Sequence, residues 1–514
     1  MQYWISMEIY TVFLLVTTLL SILLVHLFFS TNSRSLRNLP PGPKGWPILG
    51  NLPQLGDKPH QTLAALAKIY GPLFHLRFGI EHVVVAASSS VAAQFLKTFD
   101  TNFSNRPPNS GAEHVAYNYQ DLVFAPYGSR WRMLRKLCFI HLFSNKAMDT
   151  CRRVREEEVS LLVCRLKDAG GKMVRLGEEV NVCVTDALAR AIMGMRVFGE
   201  KRKGAEELKE MILELMKLAG VFNIGDFVPG IGWLDIQGVV GKMKNLHKRY
   251  DIFLNNIIAE HERSQKDDGD LLSVMIGLKK NKEDLTGEGE TVTDIDIKAL
   301  LLNLFSAGTD TTTSTLEWAL AELIRHPDIL EHLQQEIDGV VGRDRLVSDT
   351  DLPNLPFLHA VIKEVFRLHP STPLSLPRVA LESCEVQGYH IPKNTTLLVN
   401  VWAISRDPTV WTDPLEFRPS RFLPGGDHAN SDVKGNDFDV IPFGAGRRIC
   451  AGMSLGLKMV QFLTATLAHS FDWKLPDDHL PENLNMEEAF GLTLQRAEPF
   501  AAHPVPRLLP SAYL

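Results

Sequence analysis

The 514-residue chain has little cysteine: six residues, at 138, 151, 164, 183, 384 and 450, with no CxxC and no paired spacing. That argues against a disulfide framework or a thiolate metal cluster and fits a reducing compartment. An excess of charge of one sign is lacking too; a formal net charge of −6 argues against a nucleic-acid partner. No internal repeat, low-complexity tract or long linker follows residue 52. Length alone would allow about three average domains, yet nothing divides the chain, so one large unit is expected. Hydrophobic residues make up 45% and charged residues 22%, as in ordinary globular proteins.

Long apolar runs are absent from this body and present in front of it. From Ile9 to Ser33 there is no formal charge, and Leu, Val, Ile and Phe dominate. As a helix the run would span roughly 37 Å, enough for a hydrocarbon core of ~30 Å with some tilt. It is too long for a cleaved signal peptide and lacks a basic n-region. Arg34, Arg37 and Lys44 lie on its C-terminal side only, which predicts that this side faces the cytosol. The run Leu39-Pro-Pro-Gly-Pro-Lys-Gly-Trp-Pro47 then stiffens the backbone and blocks helix continuation. The expected organisation is a transmembrane signal-anchor at 1–33, a proline-rich hinge at 34–52, and one large globular domain at 53–514.

Most of 60–475 has helical periodicity, with segments ended by Gly or Pro. Short β-like runs occur at 72–78, 82–87 and 384–401, the last broken by a turn at 389–393. Polar, Gly-containing stretches at 263–270 and 279–290 read as solvated loops. The expected class is mainly α with minor β.

The chemistry concentrates near the C-terminus, in Phe443-Gly-Ala-Gly-Arg-Arg-Ile-Cys-Ala-Gly452. Small residues let a flat macrocycle approach the backbone, and free amides can point at the Cys450 sulfur. A buried inert Cys in a Gly-rich turn is the bland alternative. A phosphate cradle is another, but no Gly-Lys-Ser/Thr follows. Phe443, Gly446, Arg448, Cys450 and Gly452 together resemble the haem-thiolate signature of the cytochrome P-450 superfamily.

Three further motifs agree with it. Thr293 is a plausible N-cap for a helix closed by His326-Pro327, and Ala307-Gly-Thr-Asp-Thr-Thr312 lies in its middle. A mid-helix Gly costs ~1 kcal/mol relative to Ala, and hydroxyls that bond back can bend the helix. A local opening is expected there, where O2 can sit, with Asp310 and Thr311 supplying protons. This matches the family's oxygen-activation motif. Glu364-Val-Phe-Arg367 pairs charges at i and i+3, and Phe417-Arg-Pro-Ser-Arg421-Phe422 follows. The resemblance implies a buried network of Glu364, Arg367 and Arg421 that positions the haem loop. Trp131-Arg-Met-Leu-Arg135 puts an indole N–H and a guanidinium one turn apart. By resemblance, Trp131, Arg135, Arg378 and Arg448 hold the haem propionates. Arg132, Lys136, Arg447 and Lys458 are candidates to meet an acidic electron donor.

The fold so implied is the cytochrome P-450 prism, helix-rich with small sheets, behind one N-terminal transmembrane helix. The implied cofactor is haem b, with electrons from NADPH through NADPH-cytochrome P-450 reductase, at the endoplasmic reticulum membrane. Within the superfamily, His114–Tyr127, Asn223–Pro229, Asp432–Phe438 and Glu487–Leu494 are similar to the plant flavonoid 3′-monooxygenases. Gly425–Ser431 and Cys138–Ile140 depart from that pattern. The resemblance implies hydroxylation at the 3′ position of a flavonoid B-ring. Alternatives are 3′,5′-hydroxylation, a phenylpropanoid acid as substrate, or a reductase-independent isomerase. A flat phenolic substrate needs an apolar slot; its expected walls are 110–124, 303–306, 371–376 and 490–494.

Overall fold

The computed structural model describes residues 10–22, 38–198, 205–228, 230–264, 269–476 and 480–513. One long helix, Asp294–Arg325, organises the body. It begins in a capping box: the Thr293 hydroxyl accepts the Asp296 N–H, and the Asp296 carboxylate accepts the Thr293 N–H at 2.9 Å. It ends because His326 precedes a proline and is pushed out of the helical region, to φ −121° and ψ 78°. Both ends lie where the sequence puts them.

Two apolar cores meet along this helix. Ile297–Phe305 packs with the helix Val239–Ser264 and with Leu188–Met193. Leu316–Ile324 packs with the helices Pro356–Leu368 and Met453–Ser470. Each large side chain so buried contributes about 1.5–3 kcal/mol. Between the cores the helix turns small and polar, at Ala307-Gly-Thr-Asp-Thr-Thr312, and a cavity opens there.

The sheets are small. Leu73–Phe78 and Glu81–Ala86 form a hairpin, Thr396–Val399 adds in parallel, and Arg378–Val379 closes the edge. Ala501–Pro506 lies between Val174–Arg175 and Phe471–Lys474. Cys384–Val386 and Tyr389–Ile391 make a hairpin whose turn is Gln387-Gly388, both left-handed at φ 52° and 77°. In place of the one turn expected at 389–393 there are two, at Gln387-Gly388 and at 392–395, with the strand Tyr389–Ile391 between them; the second closes by the Thr395 N–H on Pro392 O at 3.2 Å. Of the expected loop 279–290, Lys279–Asn281 instead finishes the helix Leu271–Asn281, where cations suit the C-terminal dipole.

The proline segment is docked. Pro41 O accepts the His75 N–H, and a Cβ at Gly42 would sit 1.9 Å from His75 O. Residues 10–22 are helical and exposed, and Thr17, Thr18 and Ser21 return their hydroxyls to carbonyls at 13, 14 and 17. The remainder of the expected anchor, and the start of the hinge, lie outside the described residues. No described helix is long and apolar enough to cross a membrane.

Candidate active site

Backbone geometry sets the Cys450 loop. Gly444 and Gly446 adopt φ 69° and 71°, and a Cβ on Gly446 would lie 2.4 Å from both Leu96 O and Asp100 Oδ1. Only glycine fits that contact. Asp100 then fixes the loop: it accepts the Arg447 N–H at 3.0 Å and the Arg447 guanidinium at 2.7 Å. The Cys450 N–H donates to Phe443 O at 3.0 Å. Directly after it, Gly452 caps the helix Met453–Ser470, so the sulfur sits by a positive helix end. Burial pushes the thiol pKa up, while the Gly452 N–H and the Arg135 guanidinium oppose that. The side chain is nonetheless open to the cavity.

That cavity, about 370 Å³, has Cys450, Phe443 and Gly452 on one wall and Ala307, Gly308 and Thr311 on another. Five arginines border it, one of which, Arg155, is committed to Met148 O at 2.8 Å and to Asp349. Arg135 donates to Ile449 O at 2.9 Å, Arg378 to Ala445 O at 2.7 Å, and Arg448 to Ser104 O at 2.6 Å and to Ala125 O. Arg106 donates to Leu376 O at 2.6 Å and to Pro377 O at 3.0 Å. Burial, partly offset by Asp100, pushes Arg378 down to about 10. Burial and the neighbouring Arg378 do the same to Arg448.

The expected walls converge here: Leu122–Phe124, Asn303–Ser306, Ser371–Leu376 and Leu492–Thr493 all contribute. The last is tied by the Leu492 N–H to Met216 O at 3.4 Å and by the Leu494 N–H to Ser371 O at 2.9 Å; just upstream, Glu488 accepts from Trp402 at 2.9 Å and lies 2.9 Å from His60. Burial alone would raise Glu488, but His60, Arg406 and Trp402 hold it at about 2. Leu215, Met216 and Ala219 also line the cavity; their helix Ala205–Ala219 was not expected there. The departures at Gly425–Ser431 and Cys138–Ile140 do not line it. His428 stacks on Trp411 at 3.9 Å instead.

Other expected residues need correction. Thr311 faces the cavity but Asp310 does not; it is buried and accepts from Gln495 at 3.0 Å. Consecutive helical residues diverge by about 100°, which here leaves Thr311 at the cavity and turns Asp310 toward Gln495. The helix does not break: Thr311 and Thr312 donate to Ala307 O and Gly308 O, at 2.7 and 2.9 Å, within an unbroken run. The Trp131 indole N–H is committed to Leu122 O at 3.0 Å, so Trp131 offers the cavity its ring. Arg132, Lys136, Arg447 and Lys458 all have partners within the chain: Glu288, Leu285 O, Asp100 and Asp349.

Behind the loop, Glu364 and Arg367 are 0% exposed and Arg421 is 1% exposed. Glu364 accepts from Arg367 at 2.6 and 2.8 Å, from Arg421 at 3.1 Å and from the Arg418 N–H at 2.8 Å. Arg367 spends its other N–H groups on the carbonyls of Ser405, Pro414 and Glu416. Arg421 binds those of Thr412 and Asp413. Buried charges persist only when paired this fully.

The family model for Cytochrome P450 matches residues 40–500. The chain belongs to the cytochrome P450 family. Its cofactor is therefore haem on a cysteine thiolate, with electrons delivered from NADPH by a reductase. The residues fit that group: Nη1 of Arg378 and Nη1 of Arg448 are buried without a hydrogen-bond partner, beside the cavity that Cys450 lines. Two cationic donors without a hydrogen bond, that of Arg378 lying 3.6 Å from Asp100, suit two carboxylates. A flavonoid 3′-monooxygenase of Crocosmia x crocosmiiflora is 66% identical over 97% of this chain and 98% of its own. Another from Oryza sativa subsp. japonica is 66% identical over 94% and 93%. A flavonoid 3′,5′-hydroxylase of Crocosmia x crocosmiiflora is 58% identical over 96% of each.

Proposed function

We propose that this chain is a flavonoid 3′-monooxygenase, converting a 4′-hydroxylated B-ring into the 3′,4′-dihydroxy form. The observation that carries this is the convergence of Cys450, Thr311 and four wall segments on one mainly apolar cavity. The relatives' names support the substrate class, since two at 66% identity cover nearly the whole chain. When bound, haem on a thiolate supplies O2 activation and insertion of one oxygen atom.

The protein's own residues do the rest. Arg135, Arg378 and Arg448 would hold the propionates and Cys450 the iron, with Phe443, Gly446 and Gly452 shaping the loop. The Thr311 hydroxyl keeps a proton at the cavity wall, parked on Ala307 O. Burial raises the Asp310 carboxyl; its Oδ1 accepts from Gln495 and its Oδ2 is buried without a hydrogen-bond partner, behind the cavity wall that Thr311 and Thr493 line. The apolar walls exclude water and orient the ring. One edge presented to the iron gives one hydroxylation.

The anchor reading also belongs here. A charge-free run from Ile9 to Ser33, with positive charge on one side only, would hold the chain in the endoplasmic reticulum with residues 53–514 in the cytosol. A stiff segment at 34–52 would set the pose. Full-length chain in microsomes with reductase and NADPH should turn naringenin into eriodictyol and kaempferol into quercetin. Turnover of cinnamate-type acids without flavonoid product would move the assignment to a phenylpropanoid hydroxylase. A trihydroxy B-ring as main product would favour the 3′,5′ reading.

A further inference from the structure

Between Val115 and Gly128 the described chain forms no helix or strand, yet Leu122, Val123 and Phe124 wall the cavity. The carbonyls of the first two are met by the Trp131 indole, at 3.0 Å from Leu122 O, and by Arg106 Nε, at 3.3 Å from Val123 O; all three amides go to one side-chain pair. Asn303, one turn before Ala307 on the long helix, accepts the Leu122 N–H at 2.9 Å and the Val123 N–H at 3.3 Å on its Oδ1. Its Nδ2 donates to Asp121 Oδ2 at 2.9 Å. Asp121, 0% exposed, closes the circuit by accepting the Phe124 N–H at 2.7 Å on Oδ1. Chemistry fixes the amide orientation, since two main-chain donors must meet its oxygen. Upstream, Tyr117, Asn118 and Tyr119 all have φ between 50° and 60°, a conformation that side chains disfavour. The segment therefore gains little from local preference and is placed by side chains from elsewhere, with the pair holding its amides.

We propose that Asn303 and Asp121 form a buried clamp that sets the position of the Leu122–Phe124 wall, and so restricts hydroxylation to a single ring position. The second half rests on the flavonoid reading; the first does not. Asp121 is a positioning residue, acting only through the wall it holds, so its variant carries the test of specificity; Asn303 also borders the cavity.

The bonding inventory supplies a test with an internal rescue. In Asp121→Asn, one oxygen must serve both the Phe124 N–H and the Asn303 amide, so a donor faces a donor. In Asn303→Asp, two carboxyl groups face each other. In the double variant every bond returns with roles exchanged. The carboxylate introduced on the long helix accepts both main-chain amides and the amino group introduced at position 121. The amide oxygen at position 121 accepts the Phe124 N–H. Hydrogen exchange of the haem-loaded full chain should show the 121–125 amides opening about tenfold faster in each single variant. The double variant should return to within about twofold of the parent. With naringenin, the ratio of second-hydroxylation to single-hydroxylation product should rise about tenfold in the single variants and fall back in the double. The CO-difference spectrum reports haem retention in each. Unchanged exchange in both single variants, or a double variant no better than they are, overturns the clamp. Exchange that follows the clamp while the product ratio stays constant overturns its role in specificity. If the parent makes no flavonoid product, the flavonoid reading fails, and the exchange result still decides the clamp.

Discussion

Asp310 and Thr311 are adjacent in sequence and separated in role by the helix turn. Thr311 borders the cavity, whereas Asp310 looks toward Gln495 and Thr493. The two substitutions should therefore behave differently. Thr311→Ala removes the hydroxyl at the wall; hydroxylation should fall about 10- to 100-fold while NADPH oxidation continues and peroxide accumulates. Asp310→Asn keeps an acceptor for Gln495 and removes the acidic proton, so uncoupling should come with an unchanged thermal midpoint. Normal coupling in either variant, measured as product formed per NADPH, removes that residue from proton delivery. Sequence motifs supplied both residues but not their directions. Asp100 shows the opposite limit: it anchors the Cys450 loop from 347 positions away, and nothing local marks it.

Among elements, the helix Pro356–Leu368 is the support of the haem loop's surroundings. Arg367 and Arg421 gather the carbonyls of residues 405, 412, 413, 414 and 416, in a stretch where the backbone has few partners of its own. Glu364→Gln would keep an oxygen for the three donors on Oε1 but turn an amino group toward the Arg367 Nε–H, and leave both guanidiniums buried without a counter-charge. A loss of about 3–5 kcal/mol is expected, enough to abolish the holoprotein. The yield of haem-bound protein by CO-difference spectrum checks this; near-normal yield would show that the network is dispensable. The sequence made this network legible only through its resemblance, because an i, i+3 pair looks the same on an exposed helix. The cavity walls divide similarly. Four segments were legible as motifs, whereas the wall at Leu215–Ala219 was not: an amphipathic helix shows which face is apolar and not what that face meets.

For the molecule as a whole, the fold class and the ends of the long helix were readable from periodicity, capping and proline. The placement of the sheets was not, since Glu81–Ala86 pairs in parallel with Thr396–Val399 across most of the chain. Membrane attachment is the remaining large-scale expectation. Deleting residues 1–33 should release much of the protein from membranes and leave the haem spectrum intact. Protease added to sealed microsomes should digest the body; its protection would mean the opposite orientation.

The contact of Asp100 with Arg447 also bears on how the enzyme is made. A growing chain cannot close that contact until its last stretch has left the ribosome, and closing so long a loop is entropically costly and slow. Glu364, Arg367 and the carbonyls they organise are already synthesised by then, waiting for a partner that arrives last. Setting of the Cys450 loop is thus a late, non-local event, joining a segment made early in synthesis to one made near its end.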